Sequence, residues 1–199
     1  MRSEHRSEIV EQISKWATDA PGRPAIVDRG GVVTYGRLWQ EASTCARILK
    51  RHTAKAGDAV GLLLPNQALF IAALLGTARI GAVAVLFPTS LEATDLQRYV
   101  ATAGTRLVLT GPSHCSLLAD TGGRPGPEND LDLRPFAFTV FATAKLASSD
   151  FIVQLTSGAD QPSKLAIRAH AAVWGEISDF AEEIELTERD STLPSMLRS

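Results

Sequence analysis

The residues with the clearest chemical potential follow a short apolar stretch late in the chain. Residues 151–155 have the pattern of a buried strand, which runs directly into Thr156-Ser157-Gly158-Ala159-Asp160-Gln161-Pro162-Ser163-Lys164. Backbone N–H groups in a tight turn form a concave anion site, and glycine lets the backbone approach a ligand closely. The hydroxyls of Thr156 and Ser157 can donate to phosphate oxygens, and the ammonium of Lys164 can reach a β or γ oxygen. Phosphate binding is one interpretation of this segment, although the nine residues taken alone favour a plain polar turn.

The same nine residues have other interpretations. Gly, Asp, Pro and Ser are the commonest residues of exposed β-turns, so a plain surface turn is also compatible with them. A Walker loop requires Gly before the lysine and Ser or Thr after it, whereas Lys164 lies between Ser163 and Leu165. An unrelated doubly wound nucleotide binder is disfavoured because no Gly-x-Gly-x-x-Gly follows a predicted strand. The flanks predict a strand–loop–strand arrangement.

Composition and charge exclude several other classes of function. Of the 199 residues, 45% are hydrophobic and 21% are charged, which is ordinary for a globular protein and argues against disorder. A net charge of −2 and an aromatic content of 6% provide no surface for nucleic acid. Cys45 and Cys115 form no Cys-x-x-Cys pair, and the histidines are scattered, so we expect reduced thiols, no metal site and a cytoplasmic protein. The charged first eight residues do not resemble a secretory signal.

The elements that would position the loop alternate between helices and strands. We expect helices over residues 4–19, 35–52, 66–79, 94–102, 113–120 and 170–184, and strands over residues 25–28, 32–34, 59–64, 82–87, 107–110, 136–141, 151–155 and 165–168. Thr94-Asp95-Leu96-Gln97 has the pattern of a capping box and marks a helix start. Residues 121–130 hold three Gly and two Pro and predict an exposed loop. The alternation indicates parallel βαβ units.

One segment, residues 68–87, has the length and composition of a membrane span. Arg79 lies inside it and would cost about 2.5–3.5 kcal/mol at the centre of a bilayer. Gly76, Gly81 and the β-branched residues that follow fit a buried helix that turns into a buried strand better. We therefore expect no membrane span.

With these motifs in place, the sequence resembles the AMP-binding superfamily, which includes acyl-CoA synthetases, fatty-acyl-AMP ligases and peptide-synthetase adenylation domains. The family's signature loop usually reads Thr-Ser-Gly-Thr-Thr-Gly-x-Pro-Lys-Gly, to which residues 156–165 are similar. His170 stands where a Thr/Ser-His pair opens the next helix in the family. Upstream, residues 33–38, 57–66 and 78–88 resemble three earlier family elements in the same order, so the resemblance runs from about Pro21 to Pro194.

The resemblance implies an α/β fold: a partial doubly wound parallel sheet with flanking helices, the amino-terminal portion of the ligase fold. It divides the chain into a leading helix (1–20), βαβ units (21–120), a loop-rich connection (121–150) and the phosphate-loop strand, loop and following helix (151–199). It also implies ATP and Mg²⁺ as cofactors, a small carboxylic acid as substrate and CoA or a carrier-protein thiol as acceptor. By the same resemblance, the phosphate contacts are Thr156, Ser157, Gly158, Ala159 and Lys164, with no catalytic residue and no metal ligand in the chain.

The sequence departs from the family loop at several positions. Ala159 and Asp160 replace two hydroxyl residues, Gln161 replaces the second glycine, and Ser163 and Leu165 flank the lysine in place of Pro and Gly. The negative charge and added bulk imply weakened phosphate binding. In the family, the adenine pocket, the carboxylate pocket and the lid lysine lie downstream of this loop. The resemblance therefore implies a fragment that is inactive alone, with a complementary chain supplying the rest; the alternative is a non-catalytic module that binds a partner protein.

Overall fold

The structure, a computed structural model, describes residues 7–28, 30–127, 129, 131–140, 146–158, 161–187 and 190, with the backbone alone described at 155–158 and 161–164. The helices are α1 (Glu8–Asp19), α2 (Tyr35–Arg51), α3 (Ala68–Arg79), α4 (Ala93–Ala103), α5 (Cys115–Asp120) and α6 (His170–Glu183). The strands are β1 (Pro24–Asp28), β2 (Gly31–Thr34), β3 (Ala59–Leu63), β4 (Val83–Leu86), β5 (Leu107–Thr110), β6 (Arg124–Pro125), β7 (Arg134–Ala137), β8 (Asp150–Gly158) and β9 (Gln161–Ala169).

Seven strands form one sheet in the order β6-β7-β5-β3-β4-β8-β9, and β1 and β2 form a separate hairpin. The four central strands, β5, β3, β4 and β8, are parallel, whereas β6, β7 and β9 run antiparallel to their neighbours. The predicted α/β class with flanking helices is confirmed, but the sheet is mixed rather than wholly parallel. The reason at β9 is the short connection from β8, because only antiparallel strands can be joined by a tight turn.

The central strands carry apolar side chains on both faces, which explains their unbroken hydrophobic runs. Leu62 and Ala84 lie in a first core cluster, which also contains residues of α2 and α3. Leu63, Val85 and Val108 lie in a second cluster, with residues of α4 and α5. Neighbouring residues of one strand, such as Leu62 and Leu63, thus point to opposite faces. Each fully buried Leu or Val contributes about 1.5–3 kcal/mol to folding.

Two of the covering helices, α2 and α3, approach each other very closely at Gly76. A Cβ atom at Gly76 would lie 2.5 Å from the Cβ of Cys45 and 2.8 Å from the carbonyl oxygen of Ala42. Cys45 is fully buried in this seam. Burial, and secondarily the charge of Glu41, raises the pKa of the Cys45 thiol to about 12. Cys45 is therefore a packing residue, as the sequence predicts, and its thiol stays protonated.

The apolar segment of residues 68–87 divides as predicted. It forms α3, then a turn at Gly81, whose φ of +70° favours glycine, and then β4. In the part of the chain that the structure describes, no helix has the length and apolarity to cross a bilayer.

Three local predictions are wrong. The capping box predicted at Thr94 is absent: α4 begins at Ala93, its N-cap is Glu92, and no side chain caps it. The backbone closes the first turn instead, because the Leu96 N–H donates to the Glu92 carbonyl at 2.9 Å. The loop predicted over residues 121–130 contains β6, and the neighbouring strand lies at 134–137 rather than 136–141.

At the start of the chain, α1 begins at Glu8, four positions after the predicted start. Ser7 is its N-cap and accepts a hydrogen bond from the Val10 N–H at 3.4 Å. The predicted first turn, from Glu4, falls mostly on residues 1–6, outside the described residues.

Candidate functional site

The predicted phosphate loop is the tip of an antiparallel hairpin formed by β8 and β9. On its other side β8 pairs in parallel with β4, and the last of these pairs joins Leu86 to Gln154. Residues 155–158 therefore continue past the end of β4 for about 13 Å, at 3.3 Å a residue. In open α/β sheets, ligands bind outside the carboxyl ends of the parallel strands. The hairpin tip occupies that position.

The register of the hairpin brings together the two ends of the predicted loop. Thr156 pairs with Lys164, and Gly158 pairs with Gln161. Between these pairs β8 advances by two residues and β9 by three, so β9 carries one extra residue, a β-bulge, at Pro162 and Ser163. Proline has no N–H to donate and is tolerated at bulges. The two predicted strands are present, but the predicted loop of residues 156–164 is shorter than expected, because β8 extends to Gly158 and β9 begins at Gln161.

For the predicted phosphate contacts, the structure describes backbone positions only. Thr156, Ser157 and Gly158 end β8, and Lys164 stands opposite Thr156 on β9. Ala159, like Asp160, lies outside the described residues, as do the side chains of 155–158 and 161–164. The residue types of the set are those of an anion site: two hydroxyl residues and a glycine end β8, and a lysine position stands opposite Thr156 on β9.

His170, the other residue carried by the family resemblance, lies at the opposite end of the hairpin. Asp150 pairs with Ala169 at that end, eight residues along β8 from Gly158, which corresponds to about 26 Å. The His170 N–H donates to the Ser149 carbonyl at 3.0 Å, and its ring stacks on Phe151 with centroids 4.5 Å apart. His170 is buried, and its packing role follows from this stack.

The remaining titratable groups are dispersed. Asp179, Glu182 and Glu183 are exposed on α6, as expected for a solvated face. Among the described residues, no group of three or more His, Cys, Asp or Glu is arranged to hold a metal ion.

A cavity of about 450 Å³, which the sequence did not predict, lies between the β1–β2 hairpin and the starts of α2 and α3. Three of its charged lining residues, Asp28, Arg37 and Glu41, have structural partners. Asp28 accepts hydrogen bonds from the Gly30 N–H at 2.7 Å and the Ala68 N–H at 3.1 Å, and so caps the start of α3. Arg37 and Glu41 form an ion pair at 2.9 Å. The sequence signal for the turn was Asp28-x-Gly30, but the long-range bond to Ala68 has no local signal.

A second cavity, of about 390 Å³, lies beside β6 and β7. It is lined by Cys115, Arg134 and Phe136 together with small residues. Neither cavity is lined by a residue of the β8–β9 hairpin.

Known proteins share this sequence pattern and fold. A family model described as AMP-binding enzyme matches residues 13–188. Long-chain-fatty-acid--CoA ligase FadD13 of Mycobacterium tuberculosis is 26% identical over 190 residues, which is 89% of this chain and 38% of that protein. Acetyl-coenzyme A synthetase 1 of Candida albicans is 32% identical over 104 residues, 49% of this chain and 15% of that protein.

The fold is also that of solved ligase domains. The inhibitor-bound N-terminal domain of FACL13 from Mycobacterium tuberculosis superposes with a TM-score of 0.74 and 23% identity, over 93% of this chain and 50% of that domain. The chain thus spans 38% of the length of FadD13 and half of the solved domain.

Proposed function

The chain belongs to the AMP-binding enzyme family, and on that premise we propose that it forms the amino-terminal, phosphate-holding part of an ATP-dependent ligase that activates a carboxylic acid. The observation that carries the proposal is the β8–β9 hairpin, which passes the carboxyl edge of the parallel strands with Thr156 opposite Lys164. The substrates are a small carboxylic acid and ATP, and the acceptor of the acyl group is CoA or a carrier-protein thiol.

In the proposed reaction, a carboxylate oxygen attacks the α-phosphorus of ATP, an acyl-adenylate forms, and pyrophosphate leaves. The hydroxyls of Thr156 and Ser157 and the backbone N–H of Gly158 would donate to the β and γ phosphate oxygens. The ammonium of Lys164 would offset the charge that accumulates on the leaving pyrophosphate. Mg²⁺, when bound, supplies further charge neutralisation. The hairpin's own contribution is to hold the triphosphate in line for the attack.

We propose that these 199 residues alone bind the triphosphate without completing the reaction. Half of the solved N-terminal domain has no counterpart in them, and the resemblance assigns the adenine and carboxylate pockets to that half. We also propose a cytoplasmic location, which is supported by two cysteines that are both free thiols.

ATP binding by isothermal titration calorimetry tests the proposal. Lys164→Ala removes a charge-assisted hydrogen bond of about 1.5–3 kcal/mol, so we expect binding to weaken by roughly 10- to 150-fold. Lys15→Ala is the matched control, because Lys15 is an exposed lysine on α1. Pyrophosphate exchange by the isolated chain should stay at background. Absence of ATP binding by the unsubstituted chain, or equal binding by both variants, would contradict the proposal.

A gain of binding is a stricter test. Asp160→Thr with Gln161→Gly restores the family loop at the two positions where charge and bulk oppose phosphate. Removal of one like charge near the triphosphate is worth about 1 kcal/mol or more, so we expect at least about fivefold tighter ATP binding. Unchanged or weaker binding by this variant would argue that the loop does not contact phosphate.

The second candidate function is a non-catalytic module that binds a partner protein. It is favoured by a specific observation: large apolar side chains are exposed on the last turns of α6.

A further inference from the structure

The β1–β2 hairpin has one face in the core and one face in water. Ile26 pairs with Val33, which belongs to the first core cluster, and Ile26 packs against that cluster. Successive residues of a strand point to opposite faces, so the neighbouring pair of Val27 and Val32 lies on the outer face. These valines are 68% and 55% exposed, the highest values among the exposed large apolar residues that the structure describes. The outer face of a half-buried hairpin is expected to be polar, so an apolar pair there indicates a contact surface.

The cavity of about 450 Å³ beside the hairpin adjoins this outer face at Val32, which is one of its lining residues. Leu131 and Asp132 line the cavity from the segment that precedes β7. Val27 is not a lining residue, so an occupant of the cavity alone would leave part of the apolar face in water. The two valines and the cavity form one continuous surface, which we call the β1–β2 surface.

The cavity carries an excess of negative charge. Among its described lining residues, three carboxylates (Asp28, Glu41 and Asp132) and one guanidinium (Arg37) give a formal charge of −2. Glu41 and Arg37 offset each other, because they form an ion pair at 2.9 Å. The two remaining carboxylates, Asp28 and Asp132, have no cationic partner among the described residues. The cavity is therefore complementary to positive charge.

The carboxylate of Asp28 is already oriented within the β1–β2 surface. One of its oxygens accepts a hydrogen bond from the Gly30 N–H at 2.7 Å, and the other accepts one from the Ala68 N–H at 3.1 Å. A carboxylate has about four acceptor positions, so both oxygens can accept a further donor. The two bonds hold the carboxylate in place, which reduces the entropy that is lost when a cation binds.

A lysine or arginine side chain of another polypeptide has the chemistry that fits this surface. Its aliphatic stem can cover Val32 and Leu131 while its charged end reaches Asp28 and Asp132. A free amine of similar size would fill the cavity but leave Val27 in water, whereas a polypeptide also brings a neighbouring apolar side chain to the valine pair. Nucleic acid and anionic lipid present phosphates, which the two carboxylates repel.

From these features we propose that the β1–β2 surface binds a segment of a partner protein in which a Lys or Arg stands beside a large apolar residue. The basic side chain enters the cavity, and the apolar side chain packs on Val27 and Val32. No described residue of the β8–β9 hairpin lines this cavity, so the proposal goes beyond the proposed ATP site and does not depend on it.

Site-specific photo-cross-linking identifies the occupant. p-Benzoyl-phenylalanine replaces Val27 in the protein as it is produced by its native cells, and the matched control carries it at Lys50, an exposed residue in the last turn of α2. We expect position 27, and not position 50, to yield an adduct to another protein whose cross-linked peptide contains Lys or Arg beside a large apolar residue. An adduct to a second copy of this chain, to lipid or to nucleic acid would overturn the proposal. So would a cross-linked peptide without Lys or Arg, or no adduct beyond that at position 50.

The cross-linked peptide, synthesised without the cross-link, is then titrated into the purified chain by calorimetry. Val32→Lys places a positive charge at the mouth of the cavity and should weaken binding by at least about 30-fold, as expected for a hot-spot residue. Asp132→Asn removes one charge from an exposed side chain and should weaken binding about two- to fivefold, and added NaCl should weaken it further. Ile177→Lys, at an exposed apolar position of α6, is the control and should bind as the unsubstituted chain does.

Circular dichroism of each variant should match that of the unsubstituted chain, because the three positions are exposed. Unchanged binding by Val32→Lys, or by Asp132→Asn if Val32→Lys does not fold, would overturn the proposal. ATP titration of the same variants is read separately, so failure of the phosphate site and failure of the β1–β2 surface are distinguishable.

Discussion

The two edges of the seven-stranded sheet end in different ways. At one edge, β6 has only two residues, one of them Pro125, and it covers β7, in which Phe136 is buried. At the other edge, β9 has nine residues and exposes Ile167. A very short strand discourages pairing with a further strand, and so does proline. The proline of β9, Pro162, lies at the bulge near the hairpin tip, and residues 163–169 form a longer stretch without proline. We call the β6 edge the closed edge and the β9 edge the open edge.

The helices beside the edges differ in the same sense. At the closed edge, Gly123 follows α5 at a point that has no room for a Cβ atom between the Leu118 carbonyl of α5 and the ring of Phe138, which follows β7. α6, beside the open edge, exposes Phe180. In the described residues, the sheet is therefore well covered at the β6 edge and poorly covered at the β9 edge. Mutations should therefore be costly at the closed edge and nearly neutral for folding at the open edge.

The largest expected effect is at the closed edge. Phe136→Ala removes a buried ring from the second core cluster and should lower the free energy of unfolding by about 3–5 kcal/mol. Urea denaturation followed by circular dichroism measures the loss. The control is Phe180→Ala at the open edge, which should change stability by about 0.5 kcal/mol or less. Equal losses of unfolding free energy in the two variants would show that the two edges are equally well packed.

A smaller loss is expected from closer packing at the same edge. In Gly123→Ala the new Cβ would lie 2.7 Å from the Leu118 carbonyl oxygen and 2.6 Å from Cζ of Phe138. We expect overpacking to cost about 1–3 kcal/mol in the unfolding free energy. Gly22→Ala, where no atom lies within 4 Å of the new Cβ, is the control and should be close to neutral. A stable Gly123→Ala variant would mean that α5 is not held tightly against this edge.

Between the two edges, the pKa of Cys45 reflects how completely this thiol is buried where α2 and α3 meet. Burial raises its pKa to about 12, from an ordinary value of 9.0. The thiol ionises in the unfolded chain at lower pH than in the folded one, so stability is full below pH 9 and is lost as pH rises from 9 to 12. Between pH 8 and 10, the free energy of unfolding should therefore fall by roughly 1–2 kcal/mol more in the unsubstituted chain than in Cys45→Ala. The Cys115→Ala variant retains Cys45, so its free energy of unfolding should fall with pH as that of the unsubstituted chain does. The same pH dependence of unfolding free energy in all three proteins would contradict a raised pKa at Cys45.

The smallest effect on folding is expected at the open edge. Ile167→Thr changes an exposed side chain on a strand with one neighbour, so the unfolding free energy should shift by about 0.5 kcal/mol or less. Light scattering of the concentrated protein should nevertheless fall, because the edge becomes less apolar. Ile152→Thr on β8, where Ile152 is 9% exposed and packs in the first core cluster, should destabilise clearly. A loss above 1 kcal/mol in Ile167→Thr would show that the edge is covered in the isolated chain.

Much of the interior could be predicted from the sequence because its signals are local. The apolar run of residues 59–64 indicates a strand buried on both faces, and β3 is such a strand. Gly81 separates α3 from β4 because the turn needs a positive φ. The edges were predicted less well. β6 has only two residues, and its partner β7 runs antiparallel because of long-range pairing that no local pattern encodes.

At the candidate site, too, some features could be predicted from the sequence and others could not. The two strands followed from the apolar residues at 151–155 and 165–168, but their extension through most of the predicted loop of residues 156–164 did not. The β-bulge at Pro162 and Ser163 did not follow, since it depends on the register between the two strands. The assignment of phosphate binding to the loop depended on the family resemblance, because the nine residues alone favour a plain surface turn. The cap from Asp28 to Ala68 spans 40 positions and could not be foreseen.

The seam at Gly76 also has a consequence for the order of events during synthesis. It joins α2 to α3, both within the first 79 residues, whereas β8 must reach β4 across the 68 positions between Ala84 and Ile152. Nearby contacts form faster, and the amino-terminal part leaves the ribosome first. We therefore expect pulse-labelled hydrogen exchange to protect α2 and α3 amides before those of β8. The β8–β9 edge of the sheet would then join a core in which α2 and α3 are already packed.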